Sequence, residues 1–245
     1  GARPATQTPA GPGFPPRPTD GSGLPATIFP VRAAILFSLL SLASAGPAAA
    51  TNVVFILADD MGYADIGPFG NTYHRTPNLD RLAAEGMRFT RAYAAAPICS
   101  PTRASILNGR WPARTGVTQY LPGNHLPYAK SRQADLPAGL PLDETILAQP
   151  LRAAGYATAS IGKWHLGGGG YLPERRGFDL NFAGGAWGSH RSMFAPYDGA
   201  PVVAEFEPGE YLTDRQAAEA EKFLDGVGSR PFFLYLPLYA VHGPI

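Results

Sequence analysis

The run Asn52-Val53-Val54-Phe55-Ile56-Leu57-Ala58 constrains the fold of this chain more than any other stretch. It is apolar without alternation and rich in β-branched residues, which predicts a central parallel strand covered on both faces. It ends at Asp59-Asp60. Parallel strands need long crossovers, usually helical, so helices and further strands must follow. The sequence supplies them. Thr76-Pro77 reads as an N-cap and first helical residue, with Leu79, Leu82 and Ala83 on one face and Gly86 at the end. Met87 to Tyr93 reads as a strand. Ser100, as N-cap before Pro101, opens a second helix that Gly109 closes. Asp143 caps a third helix, through Ile146, Leu147 and Leu151 to Gly155, with Pro150 predicted to kink it. Tyr156 to Ile161 is the next strand. Thr213-Asp214-Arg215-Gln216 has the form of a capping box and opens a helix that carries Ala217, Ala220, Phe223 and Leu224. Phe232 to Leu238 is the last strand. The alternation predicts an α/β fold with a mainly parallel β-sheet flanked by helices.

Between these elements, residues 111–142 and 167–211 show little periodicity and predict long loops of the kind that carry function. The 29 glycines and 26 prolines agree with that. A net charge of +1 gives no global field for nucleic acid or a membrane surface. Residues 1–30 read as a disordered or upstream extension. Arg32, the apolar run Ala33–Ala43 and the small residues up to Ala50 read as a signal peptide at 31–50, too short for a comfortable membrane span. Secretion or periplasmic export follows as the expectation, with a catalytic domain over 51–245. The last strand lies so near Ile245 that the sheet is expected to continue in a further C-terminal part.

Several residues carry chemistry. Asp59 and Asp60 lie at the carboxyl end of a buried strand, where open α/β sheets bind ligands. Adjacent carboxylates ask for a cation, and all-oxygen ligation favours Ca²⁺ or Mg²⁺; a solvated turn is the plainer alternative. Cys99, the single cysteine, lies just before a helix N-terminus whose free N–H groups favour an anion, with Arg103 one turn on. A structural cysteine is the alternative there. Lys163 and His165 follow a strand, spaced to point to one side if extended, as a charge for an anion and a proton shuttle. His242 follows the last strand, and Ser189-His190 lies in the Gly-rich stretch; each histidine reads as ligand, acid or loop polarity. His74 and His125 read as surface residues. Trp111, Tyr120, Trp187 and Tyr197 are candidates to stack on a ring, or packing anchors.

Five segments, in order, give the chain a family resemblance: Asn52–Gly62, Thr76–Ala83, Cys99-Ser100-Pro101-Thr102-Arg103, Gly162-Lys163-Trp164-His165-Leu166-Gly167 and Tyr239-Ala240-Val241-His242. The chain resembles the type I sulfatases of the alkaline-phosphatase-like superfamily. The resemblance implies that fold, and hydrolysis of a sulfate ester. It implies that Cys99 is oxidised to formylglycine by a formylglycine-generating enzyme that reads Cys99, Pro101 and Arg103. The aldehyde hydrate is then the nucleophile. Asp59 and Asp60, with residue 99, would hold Ca²⁺. Arg103 would steady the hydrate, Lys163 the sulfate, His165 would act as base, and His242 would bind substrate and protonate the leaving alcohol. Ser189 would lie near the sulfate. One hydroxyl of the hydrate attacks sulfur and the second expels sulfate, so an unmodified thiol would stall after one attack. The family's later part adds an Asp-Asn pair and a second lysine that these 245 residues lack. The implied substrate is a sulfated small molecule or glycan, with no nucleic acid and no stable membrane insertion. Two alternatives remain: a phosphodiester or phosphonate hydrolase of the same superfamily, or an inactive fragment.

Overall fold

A computed structural model describes residues 50–124, 127–197, 203 and 205–243. The expected extension, nearly all of the signal peptide, and His125 lie outside the described residues.

Four strands, β1 (Val53–Leu57), β2 (Ala157–Ile161), β3 (Leu180–Phe182) and β4 (Phe232–Pro237), form a parallel sheet in the order β1-β4-β2-β3. Val53 pairs with Phe233 and Leu57 with Pro237, while Ser160 pairs with Tyr235. The α/β expectation is met. Five helices accompany the sheet among the described residues: α1 (Pro77–Glu85), α2 (Cys99–Asn108), α3 (Pro112–Thr115), α4 (Ala148–Ala153) and α5 (Leu212–Gly226).

The alternation of side chains along β4 divides the core. Phe233 and Tyr235 point to a cluster with Ala104 and Leu107 of α2, Leu121, Leu140, Ile146, Trp164 and Phe178. Leu234 and Leu236 point the other way, to Ala159, Ile161 and Ala220, against which Phe223 and Leu224 of α5 pack. Each such side chain contributes about 1.5–3 kcal/mol on full burial. The sheet is thus fixed between α2 and α5.

The structure corrects several local expectations. β1 is an edge strand here: Val54 is 48% and Ile56 59% exposed, because no described element packs on that face. Met87 to Tyr93 is not a strand. No partner among the described residues pairs with it, and Met87, Phe89 and Tyr93 are exposed. The third helix starts at Ala148 rather than after Asp143. Pro150 therefore falls in the first turn, where its missing N–H is not needed, and it does not split the helix. Ser100 is not an N-cap: α2 begins at Cys99, with Ile98 in that place. Nor does Thr213-Asp214-Arg215-Gln216 form a capping box. Tyr211 is the cap of α5, and Gln216 lies buried against the carbonyls of Ile161 and Pro237. No helix among the described residues is long and apolar enough to cross a membrane.

Candidate active site

The carboxyl ends of β1, β2 and β4 meet at one edge of the sheet, and α2 directs its first turn at the same place. The backbone ties these ends together. Leu238 donates to the Leu57 carbonyl at 2.8 Å, the Asp59 N–H to Ala240 at 2.9 Å, and the Lys163 N–H to Pro237 at 2.7 Å. Gly162 precedes Lys163 with φ +128, and a Cβ there would collide with the Pro237 carbonyl and Gln216. Only glycine lets β2 end this close to β4.

Asp59 is the hub. Arg103 Nη2 donates to its Oδ1 at 3.0 Å, and Lys163 Nζ donates to its Oδ2. Lys163 Nζ also lies 3.3 Å from Cys99 Sγ, and Arg103 Nη1 donates to the Lys163 carbonyl at 2.6 Å. Arg103 is 2% and Lys163 0% exposed. Two buried cations thus share one buried carboxylate, leaving a surplus positive charge beside Cys99. An anion arriving there is favoured, because buried charge is costly without a counter-charge. The hydroxyl of Tyr235, whose ring lies on β4, is buried beside the Arg103 guanidinium, and its pKa is raised chiefly by that burial.

Asp59, Cys99 and His242 bring ligand atoms within 4.8 Å of one another. His242 donates from Nδ1 to the Gly243 carbonyl at 2.5 Å, and its Nε2 stands 3.6 Å from Asp60 Oδ2. Asp60 is exposed at the rim. The carboxylates of Asp59 and Asp60 suit a hard cation such as Ca²⁺. A thiol sulfur and an imidazole do not, whereas oxygens carried at residue 99 would. Ca²⁺ takes about six to eight oxygens, so these residues alone would supply only part of such a site.

The extended geometry expected to set Lys163 and His165 on one side is absent. The chain is not extended there: His165 has φ +56. Its Nε2 donates to the Leu121 carbonyl at 2.7 Å, which fixes the tautomer and leaves Nδ1 buried with a free lone pair. Among the described residues its ring makes no hydrogen bond to Cys99. The link is through Ser100, whose Oγ donates to the His165 carbonyl at 2.7 Å and accepts from the Leu121 N–H at 3.0 Å. A Cβ at Gly188 would strike the His165 ring, so glycine there is what admits the imidazole. Ser189 is exposed and lines a narrow slot with His190 and His242. Trp111 and Trp187 are exposed, but Tyr197 is buried and bonded to Glu210, a packing anchor. His74 is exposed, as expected of a surface residue.

A family model described as Sulfatase matches residues 51–245. The chain belongs to the sulfatase family. Over 237 residues it is 37% identical to the N-acetylgalactosamine-6-sulfatase of Canis lupus familiaris, an alignment covering 87% of this chain and 44% of that protein. The crystal structure of Ps i-CgsB in complex with k-i-k-neocarrahexaose superposes with TM-score 0.66 and 32% identity, over 80% of this chain and 46% of that one. The structure of BT4656 in complex with its substrate D-glucosamine-2-N,6-O-disulfate gives TM-score 0.57 and 28% identity, over 79% and 35%. The chain therefore spans less than half the length of these relatives.

Sequence reasoning missed three parts of this sulfatase-family site. Ser100 reads as a cap from its sequence, but its hydroxyl bonds the His165 carbonyl instead. Tyr235 sits inside an apolar strand and carries no local signal. The hydroxyl of Tyr239 donates to the Ala183 carbonyl at 2.8 Å, holding the segment before His242.

Burial lowers the pKa of both His165 and His190 to about 4. The unfolded chain, with histidines near 6.5, binds more protons than the native state between those values, so stability falls as pH drops through that window. The expected loss is at most about 3 kcal/mol per histidine between pH 7 and 4, at 1.36 kcal/mol per unit. Urea unfolding at a series of pH values reads it. His190→Phe is expected to flatten part of the slope, and a profile level from pH 7 to 4.5 would remove the premise that both rings are buried neutral.

Proposed function

We propose that this sulfatase-family chain is the N-terminal part of an exported enzyme that hydrolyses sulfate esters at residue 99. The observation that carries the reading is the surplus positive charge built by Arg103, Lys163 and Asp59 around Cys99, at the start of a helix. A sulfate ester needs its oxygens neutralised before a nucleophile approaches, and donors fixed beforehand supply most of that stabilisation. The family relationship supports sulfate over a phosphodiester. Export rests on the pattern of residues 31–50.

In this reading Cys99 is converted to formylglycine before turnover. The step is a two-electron oxidation of Cβ by an external oxidant, which releases the sulfur as sulfide and leaves an aldehyde that hydrates. Pro101 and Arg103 are buried in the folded protein. A modifying enzyme that reads them must therefore act before the chain folds.

Each side chain then has a defined task. Lys163 Nζ and the Arg103 guanidinium bind sulfate oxygens and orient the ester. His165 Nδ1, the free lone pair, accepts the proton of the first hydroxyl as it attacks sulfur, or of the second as it collapses to the aldehyde and expels sulfate. His242 Nε2 delivers a proton to the leaving oxygen, and Ser189 bonds the ester from the rim. Asp59 and Asp60, with oxygen at residue 99, would hold Ca²⁺, which supplies Lewis-acid neutralisation of the sulfate oxygens when bound. The substrate class is a sulfated glycan or small sulfate ester, in keeping with the sulfated amino sugar bound by BT4656.

A second reading, binding without turnover, is favoured by one fact: the described residues offer only part of an oxygen cage. Mass spectrometry of the tryptic peptide Ala92–Arg103, from cells that carry the modifying enzyme, tests the main reading. Aldehyde at residue 99 is expected, and thiol in every copy would sink the formylglycine step. Rates on paired aryl sulfate and aryl phosphodiester then separate the two hydrolases. A clear preference for the phosphodiester overturns the choice of sulfate.

A further inference from the structure

The long loop over 111–142 holds a cleft that the chemistry above does not use. Its volume is 830 Å³, within the range of about 300–1,000 Å³ typical of small-ligand sites. Two residues of its wall, Gln119 and Pro122, bracket Leu121. The Leu121 carbonyl accepts from His165 Nε2 at 2.7 Å, and the Leu121 N–H donates to the hydroxyl of Ser100, next to Cys99, at 3.0 Å. The Tyr120 ring stands 6.4 Å from the His165 ring, and its hydroxyl donates to the side chain of Asn124 in the cleft wall. The cleft therefore begins one residue from the anchor of His165.

Both arms of the loop are tied down. Leu121 belongs to the main core cluster, and Leu136 packs against it. Between them the Asn124 N–H donates to Gln133 Oε1 at 3.3 Å. A Cβ at Gly123, which has φ +92, would strike the side chains of Gln133 and Leu136, so the arms meet at a position that suits glycine. Of the described lining, Gln119, Asn124 and Gln133 offer amides, Lys130 and Arg132 are cations, and Asp135 is the one carboxylate, held by Arg132 at 2.7 Å. Two cations against one carboxylate leave a single positive charge. Lys130 and Arg132 are exposed, so a ligand can reach them. Amides pair with hydroxyls and the cations with an anionic group, which together are the chemistry of an acidic sugar. We propose that this cleft is a subsite for an acidic sugar adjoining the one whose sulfate ester is cleaved, so that the enzyme acts on glycan chains in preference to single sugars. The inference rests on the sulfate-ester reading of the Cys99 cluster. The acidic group is a sulfate or a carboxylate, either of which Lys130 can bind.

Binding is measured by calorimetry in Cys99→Ala, so that no turnover intrudes. The ligands are a chondroitin 6-sulfate hexasaccharide, which carries acidic neighbours, and galactose 6-sulfate, which has none. The hexasaccharide is expected to bind more tightly. Adding Lys130→Gln and Arg132→Gln leaves Asp135 as the one charge of the described lining, and the ratio of affinities, hexasaccharide over monosaccharide, is expected to fall by roughly fivefold or more. Asp135→Asn instead leaves both cations unopposed and should raise the ratio by about twofold, a gain that misfolding cannot give. Arg230→Gln is the control, an exposed arginine just before β4, at the opposite edge of the sheet from Cys99. A ratio that falls as far in Arg230→Gln as in the double change reports diffuse charge attraction and overturns the proposal. So does a ratio that the Lys130 and Arg132 changes leave level, or a hexasaccharide that binds no more tightly than the monosaccharide. Unsulfated chondroitin hexasaccharide identifies the anion. If its affinity also falls in the double change, a carboxylate occupies the cleft; if it does not, the sulfate does, and either result supports the subsite. Turnover of 4-nitrophenyl sulfate by wild type is measured apart. Its absence removes the sulfate-ester reading, and the calorimetric ratio still decides whether the cleft takes an acidic sugar.

Discussion

Cys99→Ala should lose turnover of 4-nitrophenyl sulfate by roughly 10⁴-fold or more, the scale seen when a covalent nucleophile is removed. The fold should survive. Cys99 is half-buried at the first position of α2, makes one side-chain contact of note, to Lys163 Nζ, and is followed by a helix whose other anchors remain. Alanine suits a helix, so the change in stability is expected to stay within about 1 kcal/mol. Cys99→Ser sharpens the test. A serine hydroxyl can attack sulfur, but it has no second hydroxyl with which to release the product. It should therefore give one equivalent of alcohol per enzyme and then stop. Pre-steady-state release of 4-nitrophenol measures this. Steady turnover by Cys99→Ser, or more than a tenth of wild-type activity in Cys99→Ala, would show that residue 99 is not the nucleophile.

How far the sequence announced this site depends on whether each signal was local. The run 52–58 and its terminal aspartates, the glycine that ends α2 and the strand before Lys163 are local patterns, and the structure has them nearly where the sequence puts them. Their shared edge follows from the rule that parallel strands present their carboxyl ends together. The cap expected at Ser100 does not form because its hydroxyl bonds outside its own helix. It joins Leu121, 21 residues on, to His165, 65 residues on, and nothing in the pentapeptide encodes those partners. The turn of the chain between Lys163 and His165 is equally invisible in the sequence. Period-two reasoning holds for extended chain, and His165 stands at positive φ. β1 was expected to be covered on both faces from its composition alone. Its outer face, Val54 and Ile56, is bare of described elements, which is a fact about what packs beside a strand and not about the strand.

Asp59→Asn should be the most destabilising single change in the described residues around Cys99. Asparagine keeps the shape and removes the charge. Arg103 and Lys163, both almost fully buried, would then face each other with no counter-charge. Removing one partner of a buried ion pair costs about 3–5 kcal/mol, because the remaining charge stays out of water. For a domain of this size, each kcal/mol is worth about 2–4 °C, so a fall in Tm on the order of 10 °C is expected. Carrying out the urea or thermal unfolding in EDTA separates this loss from any loss of a bound cation. A second variant shows whether charge or shape is responsible. Lys163→Met removes one of the two cations, so the double variant Asp59→Asn with Lys163→Met should be more stable than Asp59→Asn alone. The coupling between the two sites should be about 1–3 kcal/mol, as for residues that share a network. If Asp59→Asn unfolds within 0.5 kcal/mol or so of wild type in EDTA, the Arg103–Asp59–Lys163 triad does not hold the site together. The surplus positive charge beside residue 99 would then need another source.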